Sequence, residues 1–258
     1  MSAGRRIDPR EGPPLSQRVE LISFDSPEAL AQAAAVRWLA GLDPARPQTV
    51  ALSGGRIARA FFSAVVHLAK SGLRRFASVH FFWADERCVP PDHAESNFAL
   101  ARIQLLEPLG IPEGQIHRVR GEIETSAAAA EASVELRCVT ARDGVGQAIL
   151  DWVFLGMGED GHVASLFPGS RDSEADVAPG YLPVTAPKPP PQRITLSYCA
   201  LAAARQVWVL VSGPGKERAL AQSLSPTGQT PLARVVGSRG RTLILSDVRL
   251  PADGQKKL

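Results

Sequence analysis

From residue 19 onward, short apolar runs alternate with segments that read as helices, and this alternation leaves the chain few architectures to choose from. VELISF (19–24), TVALS (49–53), FASVHFFWA (76–84), ILDWVFLG (149–156), RITLS (193–197), QVWVLVSG (206–213) and TLILSD (242–247) all have strand composition. Between them, Ser26, Pro27 and Glu28 make a capped and charge-matched helix start, with the helix reaching Trp38 or Leu39. Further helices are expected over the amphipathic IARAFFSAVVHLAK (57–70), from a Ser96 cap to Leu106, over the alanine-rich 124–138, and from about Lys216 to Ser223. Strands separated by helices pair in parallel, with the helices covering both faces of the sheet. FASVHFFWA, almost wholly apolar, suits a strand buried on both sides. The expected fold class is therefore α/β, a mostly parallel sheet with helices on both faces.

No internal repeat or linker divides the chain, so a single α/β domain is expected over residues 19–250. A flexible polar arm (1–18) would precede it and a polar tail (251–258) would follow. PKPPPQ (187–192) reads as a stiff surface loop. The formal charge of +3 is spread along the sequence without a basic stripe, which argues against nucleic acid as a partner and suits an enzyme that gathers small anions. Cys88, Cys138 and Cys199 lie far apart, giving neither a disulfide framework nor a zinc site and fitting a reducing, cytoplasmic setting. There is no apolar run of ~18 residues for a membrane span, and the N-terminus lacks the apolar core of a signal peptide. Apolar helix faces look the same in a core and in an interface, so the sequence leaves the oligomeric state open, with a monomer favoured.

In open parallel sheets, ligands bind beyond the carboxyl ends of the strands, and four polar clusters follow strands here. Ser53-Gly54-Gly55-Arg56 either brings backbone N–H groups and a helix N-terminus to an anion or simply makes a tight turn. In WADERCVPPDHAESN (83–97), Arg87 either forks a phosphate or developing oxyanion or forms a salt bridge with its acidic neighbours Asp85 and Glu86. In GMGEDGHVASLFPGS (156–170), two glycines permit a sharp exit from the strand and Asp160-Gly161-His162 would start a short helix. A neutral histidine there either takes a proton from water, its unperturbed pKa being about 6.5, or is structural, and its place between two glycine corners after a buried strand favours the first. In Ser212-Gly213-Pro214-Gly215-Lys216, Lys216 either holds a phosphate at a helix start or is solvated, and Arg193 has the same two readings. Together the clusters describe one mouth for a small phosphorylated substrate. The glycine loop has neither the dinucleotide nor the P-loop pattern, so no cofactor is expected. No metal-ligand spacing is present, and no metal is expected.

LSGG (52–55), W-x-DER-x-VP with a following SN (83–97), GMGEDGHVASLFPG (156–169) and SGPGK (212–216) resemble the glucosamine-6-phosphate isomerase/6-phosphogluconolactonase family, over nearly everything from Val19 to Asp247. The resemblance implies a Rossmann-like three-layer sandwich. It also implies cofactor-free hydrolysis of a sugar-phosphate lactone in the pentose phosphate pathway, by a carboxylic ester hydrolase. The deaminase branch resembles D-G-H-I-A-F-N-E-P, whereas Val163-Ala164-Ser165-Leu166-Phe167-Pro168 follow His162 here without that glutamate. Arg87 stands where deaminases carry a tyrosine. Both departures favour the lactonase branch. The family's usual S-G-G-S-T-P is departed from at Arg56-Ile57-Ala58, where a charge replaces hydroxyls, and Val163 replaces the usual threonine.

On this reading His162 is the general base, Arg87 supports the oxyanion, and Asp160 fixes the glycine corner or orients the imidazole, with Asp85 a second candidate. Ser53, Gly54, Gly55, Arg56, Lys216 and Arg193 hold the substrate and its phosphate. The rivals are a sugar-phosphate-binding protein without catalysis and a deaminase-type isomerase.

Overall fold

The computed structural model describes residues 15–69, 76–169 and 177–250. The polar tail lies outside these residues, as does the arm up to residue 14. The last four residues of the expected arm, Leu15–Arg18, form a helical turn α1, in which Arg18 donates to the Gly237 carbonyl at 2.8 Å.

Six strands make one parallel sheet: β1 (Val19–Ser23), β2 (Gln48–Leu52), β3 (Val79–Trp83), β7 (Trp152–Gly156), β10 (Gln206–Val211) and β11 (Thr242–Ser246), ordered β1-β11-β10-β7-β2-β3. From β2 the chain moves outward to β3 and later returns to the opposite side of β2 with β7. The order therefore reverses between β2 and β7, a place where the loops leaving adjacent strands diverge and open a crevice.

Helices α2 (Pro27–Gly41) and α3 (Arg56–Ala69) pack against each other and supply aromatic core residues. Trp38 of α2 lies 5.7 Å from Phe61 of α3 and 5.2 Å from Phe154 of β7, ring centre to ring centre, and all three side chains are buried. Such packing of a helix layer onto the sheet supplies most of the helices' stability. The Ser26 cap forms as expected, its Oγ accepting from the Ala29 N–H.

Ser96 also caps as expected, but the helix it starts changes character. An α-helical α4 (Asn97–Ala101) passes into a π-helical turn over Arg102–Leu106. The alanine-rich segment becomes α5 (Thr125–Val139), capped by the Glu124 carboxylate, and is followed by a small hairpin of β5 (Ala141–Arg142) and β6 (Ala148–Ile149).

RITLS does not join the main sheet. It lies in β9 (Gln192–Leu196), the centre of a separate antiparallel sheet between β4 (Asp85–Arg87) and β8 (Tyr181–Thr185). Only Ala84 separates β3 from β4, so the chain peels off the large sheet directly into the small one. The pairing sets Arg87 opposite Arg193 and Asp85 opposite Thr195. Three more helices complete the described part: α6 (Tyr198–Ala203), α7 (Glu217–Ser223) and α8 (Pro231–Gly237).

Candidate active site

A cleft of about 170 Å³ opens where the strand order reverses. Of the ten residues expected to form a site, all except Asp160 line it, and Asp160 stands directly behind His162.

The glycine loop after β2 approaches the first turn of α4 very closely. A Cβ on Gly54 would fall 1.9 Å from Asn97 Oδ1, so only glycine lets the two loops meet. Gly55 has φ +99, the left-handed region that glycine enters freely. The Ser53 hydroxyl, shielded from water, has no hydrogen-bond partner among the described residues.

The DER segment gives each residue a different task. Glu86 is buried and caps α4: its carboxylate accepts the backbone N–H groups of Asn97 and Phe98 (both 2.7 Å) and of Arg87 (2.8 Å), and the Ser96 hydroxyl (3.1 Å). Burial pushes its pKa up to about 7, against the three backbone donors. Asp85 is also buried, accepting the Ser165 hydroxyl at 2.6 Å and the Asn97 amide at 3.3 Å. Arg87 is tied through one terminal nitrogen to the Glu95 carbonyl at 2.6 Å, with the Glu95 carboxylate at 3.4 Å, and the residue lines the cleft. The expected ion pair with an acidic neighbour thus exists, to Glu95 rather than to Asp85 or Glu86.

The expected short helix at Asp160-Gly161-His162 does not form. Gly161 has φ +80 and Ala164 φ +50, and neither value fits a right-handed helix. The segment instead makes tight turns, with Gly158 N–H donating to the His162 carbonyl and Gly161 N–H to the Gly158 carbonyl. Asp160 stabilises this corner by accepting the His162 backbone N–H at 3.1 Å, and it also sits 2.5 Å from the ring nitrogen Nδ1. An ionised carboxylate only accepts, so Nδ1 carries the proton and Nε2 keeps its lone pair. Asp160 thus contacts both the backbone of this corner and the imidazole. The hydrogen bonds of Asp85 go elsewhere, and it acts on His162 only as a neighbouring charge.

Burial lowers the His162 pKa below the usual imidazole value; Asp160 opposes this and Lys188 adds to it. For Asp160, burial opposes ionisation, but the hydrogen bonds from His162 outweigh it and its pKa is lowered. The pair is thus a carboxylate holding a neutral imidazole, which is the form that can accept a proton.

Cations surround this pair. Arg193 is 3% exposed, its Nε donates to the Pro190 carbonyl at 3.0 Å, and its guanidinium lies 5.7 Å from the Phe167 ring centre. Lys216 immediately precedes α7; burial, then the charge of Arg56, lowers its pKa. Arg56 crosses from the glycine loop to the opposite loop, where a terminal nitrogen lies 3.6 Å from the place a Cβ on Gly213 would take. Asp247 anchors that loop by accepting the Ser212 hydroxyl at 2.6 Å and the Gly213 N–H at 3.0 Å.

Sequence reasoning missed Lys188. PKPPPQ is a surface loop, but it also carries Lys188 to the cleft, with Nζ 5.8 Å from the Phe167 ring centre. In the sequence Asn97 reads as a helix start and as part of the family motif but not as a site residue, yet it lines the cleft and braces both Gly54 and Asp85. A lone cation among prolines, a few residues before Arg193, was the available signal for Lys188.

A parallel α/β sheet with a cation-lined crevice at its switch point, and a carboxylate-held neutral histidine inside it, belongs to the class of α/β proteins whose cleft is equipped for acid–base chemistry on a small anion. Comparison with known proteins makes the class specific. The family described as glucosamine-6-phosphate isomerases/6-phosphogluconolactonase matches residues 25–244, and the chain belongs to that family. Human 6-phosphogluconolactonase is 38% identical over 212 residues, covering 79% of this chain and 79% of the human protein. The Streptomyces coelicolor 6-phosphogluconolactonase is 32% identical over 248 residues, covering 90% and 94%. Among solved structures, the 6-phosphogluconolactonase of Trypanosoma brucei superposes with a TM-score of 0.76 at 27% identity, over 89% of this chain and 96% of the other. The three-layer α/β architecture is shared.

Proposed function

We propose that the chain hydrolyses 6-phospho-D-glucono-1,5-lactone to 6-phosphogluconate, the lactone-opening step of the oxidative pentose phosphate pathway. The observation that carries this reading is His162: its Nδ1 is committed to Asp160, leaving a basic Nε2 in a cleft rich in cations.

In this mechanism Nε2 takes a proton from water as the water oxygen bonds to the lactone C1. The carbonyl electrons move onto oxygen, and the charge of Arg87 stabilises the resulting oxyanion. When the oxyanion collapses, the bond from C1 to the ring oxygen breaks and the imidazolium returns its proton to that oxygen. The products are a carboxylic acid, which loses its remaining proton to solvent at neutral pH to become the carboxylate, and a free hydroxyl. At the far end, Arg56, Lys216, Arg193 and the Ser53-Gly54-Gly55 loop hold the phosphate, so binding energy remote from the carbonyl positions it for attack.

This chemistry is assigned to one α/β domain over residues 19–250, acting as a cytoplasmic monomer without cofactor, metal or nucleic acid. The family match across 25–244 and the three free cysteines support that assignment. Among the described residues, no helix is long and apolar enough to cross a membrane.

The test is lactone hydrolysis with substrate generated in situ and the spontaneous rate subtracted, run beside ammonia release from glucosamine 6-phosphate. Acceleration of the first reaction alone is expected. Ammonia release would mean a deaminase-type isomerase, and tight 6-phosphogluconate binding without turnover would mean a binding protein.

Because the base works only when neutral, kcat/KM is expected to fall as pH drops through the His162 pKa. That pKa is lowered, so the acid limb should lie below the usual imidazole value of about 6.5, with a plateau through neutral pH. An acid limb centred above that value would show that the Asp160 charge outweighs burial.

Arg56 has no carboxylate partner among the described residues and lies next to Lys216. Arg56→Ser should raise KM about tenfold, the loss of one charge-assisted hydrogen bond, with kcat little changed. An unchanged KM would place the guanidinium outside the phosphate's reach.

A further inference from the structure

Behind the first turn of α4 lies a second cavity, of about 380 Å³, a size suited to small organic ligands. Its walls are Phe98, Leu106, Ile111 and Ile116, with Arg102 and Arg118 beside them. Consecutive residues of one turn therefore serve two cavities: Asn97 lines the cleft and Phe98 lines this one.

The two arginines differ. Both terminal nitrogens of Arg118 are engaged by Glu122, at 2.9 and 2.7 Å, and its guanidinium carbon lies 5.6 Å from the Phe98 ring centre. Arg102 is paired only loosely, in a half-exposed ion pair with Glu107. Its Nε is shielded from water and has no hydrogen-bond acceptor among the described residues, the Glu107 carboxylate being 3.7 Å away. A buried N–H calls for an acceptor. The cavity's carboxylates, Glu107 and Glu113, both belong to exposed residues. Arg102 also begins the π-helical turn, an irregularity that recurs at functional sites.

The cavity is mechanically joined to the cleft. Phe98 N–H donates to the same Glu86 carboxylate that receives the N–H groups of Arg87 and Asn97. The Phe98 ring also packs edge-on against Trp83, at the end of β3, with centres 5.4 Å apart. A shift of Phe98 therefore moves the group that fixes the backbone of two cleft residues.

We propose that this cavity is a second binding site, for a small organic anion with an apolar body, and that its occupant acts on the cleft through Phe98 and Glu86. The anionic group meets Arg102 and the body lies against Phe98, Ile111 and Ile116. Since coupling between two sites is reciprocal, an occupied cleft alters affinity at the second site by the same factor.

The probe is 8-anilinonaphthalene-1-sulfonate, an aromatic body with one sulfonate, added to the full chain. Saturation at one probe per chain is expected. Arg102→Leu should weaken binding about tenfold by removing one charge-assisted hydrogen bond. Ile116→Trp, which fills the cavity, should abolish binding, and melting curves check that both variants fold. Probe binding should also alter amide hydrogen exchange at Asn97 and Phe98, a readout independent of lactone hydrolysis. The proposal is overturned if neither variant weakens binding, or if 6-phosphogluconate displaces the probe competitively, which would place the probe in the cleft. It is equally overturned if exchange at those two amides does not respond, or if probe uptake falls as the chain self-associates, which would make a second copy the occupant.

Discussion

Replacing His162 with alanine should lower the rate of lactone hydrolysis, after subtraction of the spontaneous reaction, by about 10²–10⁴-fold, the range for loss of a general base. Binding of 6-phosphogluconate, followed by calorimetry, should change only a few-fold, because the groups assigned to the phosphate lie on other loops. The size of the effect follows from how completely the side chain is prepared. Asp160 holds one ring nitrogen, burial keeps the ring neutral, and Phe167 packs 4.8 Å from its centre. No other histidine lines the cleft among the described residues, so no second imidazole there can take over the proton. A variant with full activity would mean that water is activated elsewhere, with Asp85 the next group to remove.

Gly158→Ala should come close to the same loss without touching the histidine. A methyl group at Gly158 would lie 2.0 Å from both Cε1 and Nδ1 of His162 and 2.7 Å from an Asp160 oxygen. Real atoms do not approach so closely, so the imidazole must swing away and surrender its bond to Asp160. Turnover should fall about 10²-fold or more, since a displaced base loses both reach and orientation. The cost to folding should be about 1–3 kcal/mol, the usual range for overpacking. The two quantities separate the explanations: kcat should collapse while the urea midpoint moves modestly. If kcat survives, the ring has an alternative seat from which it still reaches water.

Much of the architecture was legible because its cause is local. Seven apolar runs between helical segments announce a parallel sheet, and six of them form it. The seventh, RITLS, has the same composition but pairs with Asp85–Arg87 and Tyr181–Thr185 instead. Nothing in a three-residue strand of two acids and an arginine marks it as a strand; its partners define it. The site was legible where glycines and charges follow strands, which is why nine of the ten chosen residues share one cleft. What escaped depends on backbone angles that residue type does not report. Ala164 at φ +50 carries no mark in its letter, so the stretch after Asp160 reads as a helix and folds as turns. Lys188 escaped because proline-rich loops are read for stiffness rather than for what they deliver.

The cleft draws on loops that begin at Ser53 and end at Lys216, and the last of these is anchored by Asp247. No single loop or short stretch of the chain contains the whole site. During synthesis, the glycine loop, the DER segment and His162 all emerge before Lys216, and the Asp247 anchor comes later still. Turnover therefore begins only after nearly the whole sheet has been made and assembled. In refolding, activity should therefore return no earlier than the far-ultraviolet signal of the strands and helices, which parallel records of the two would check.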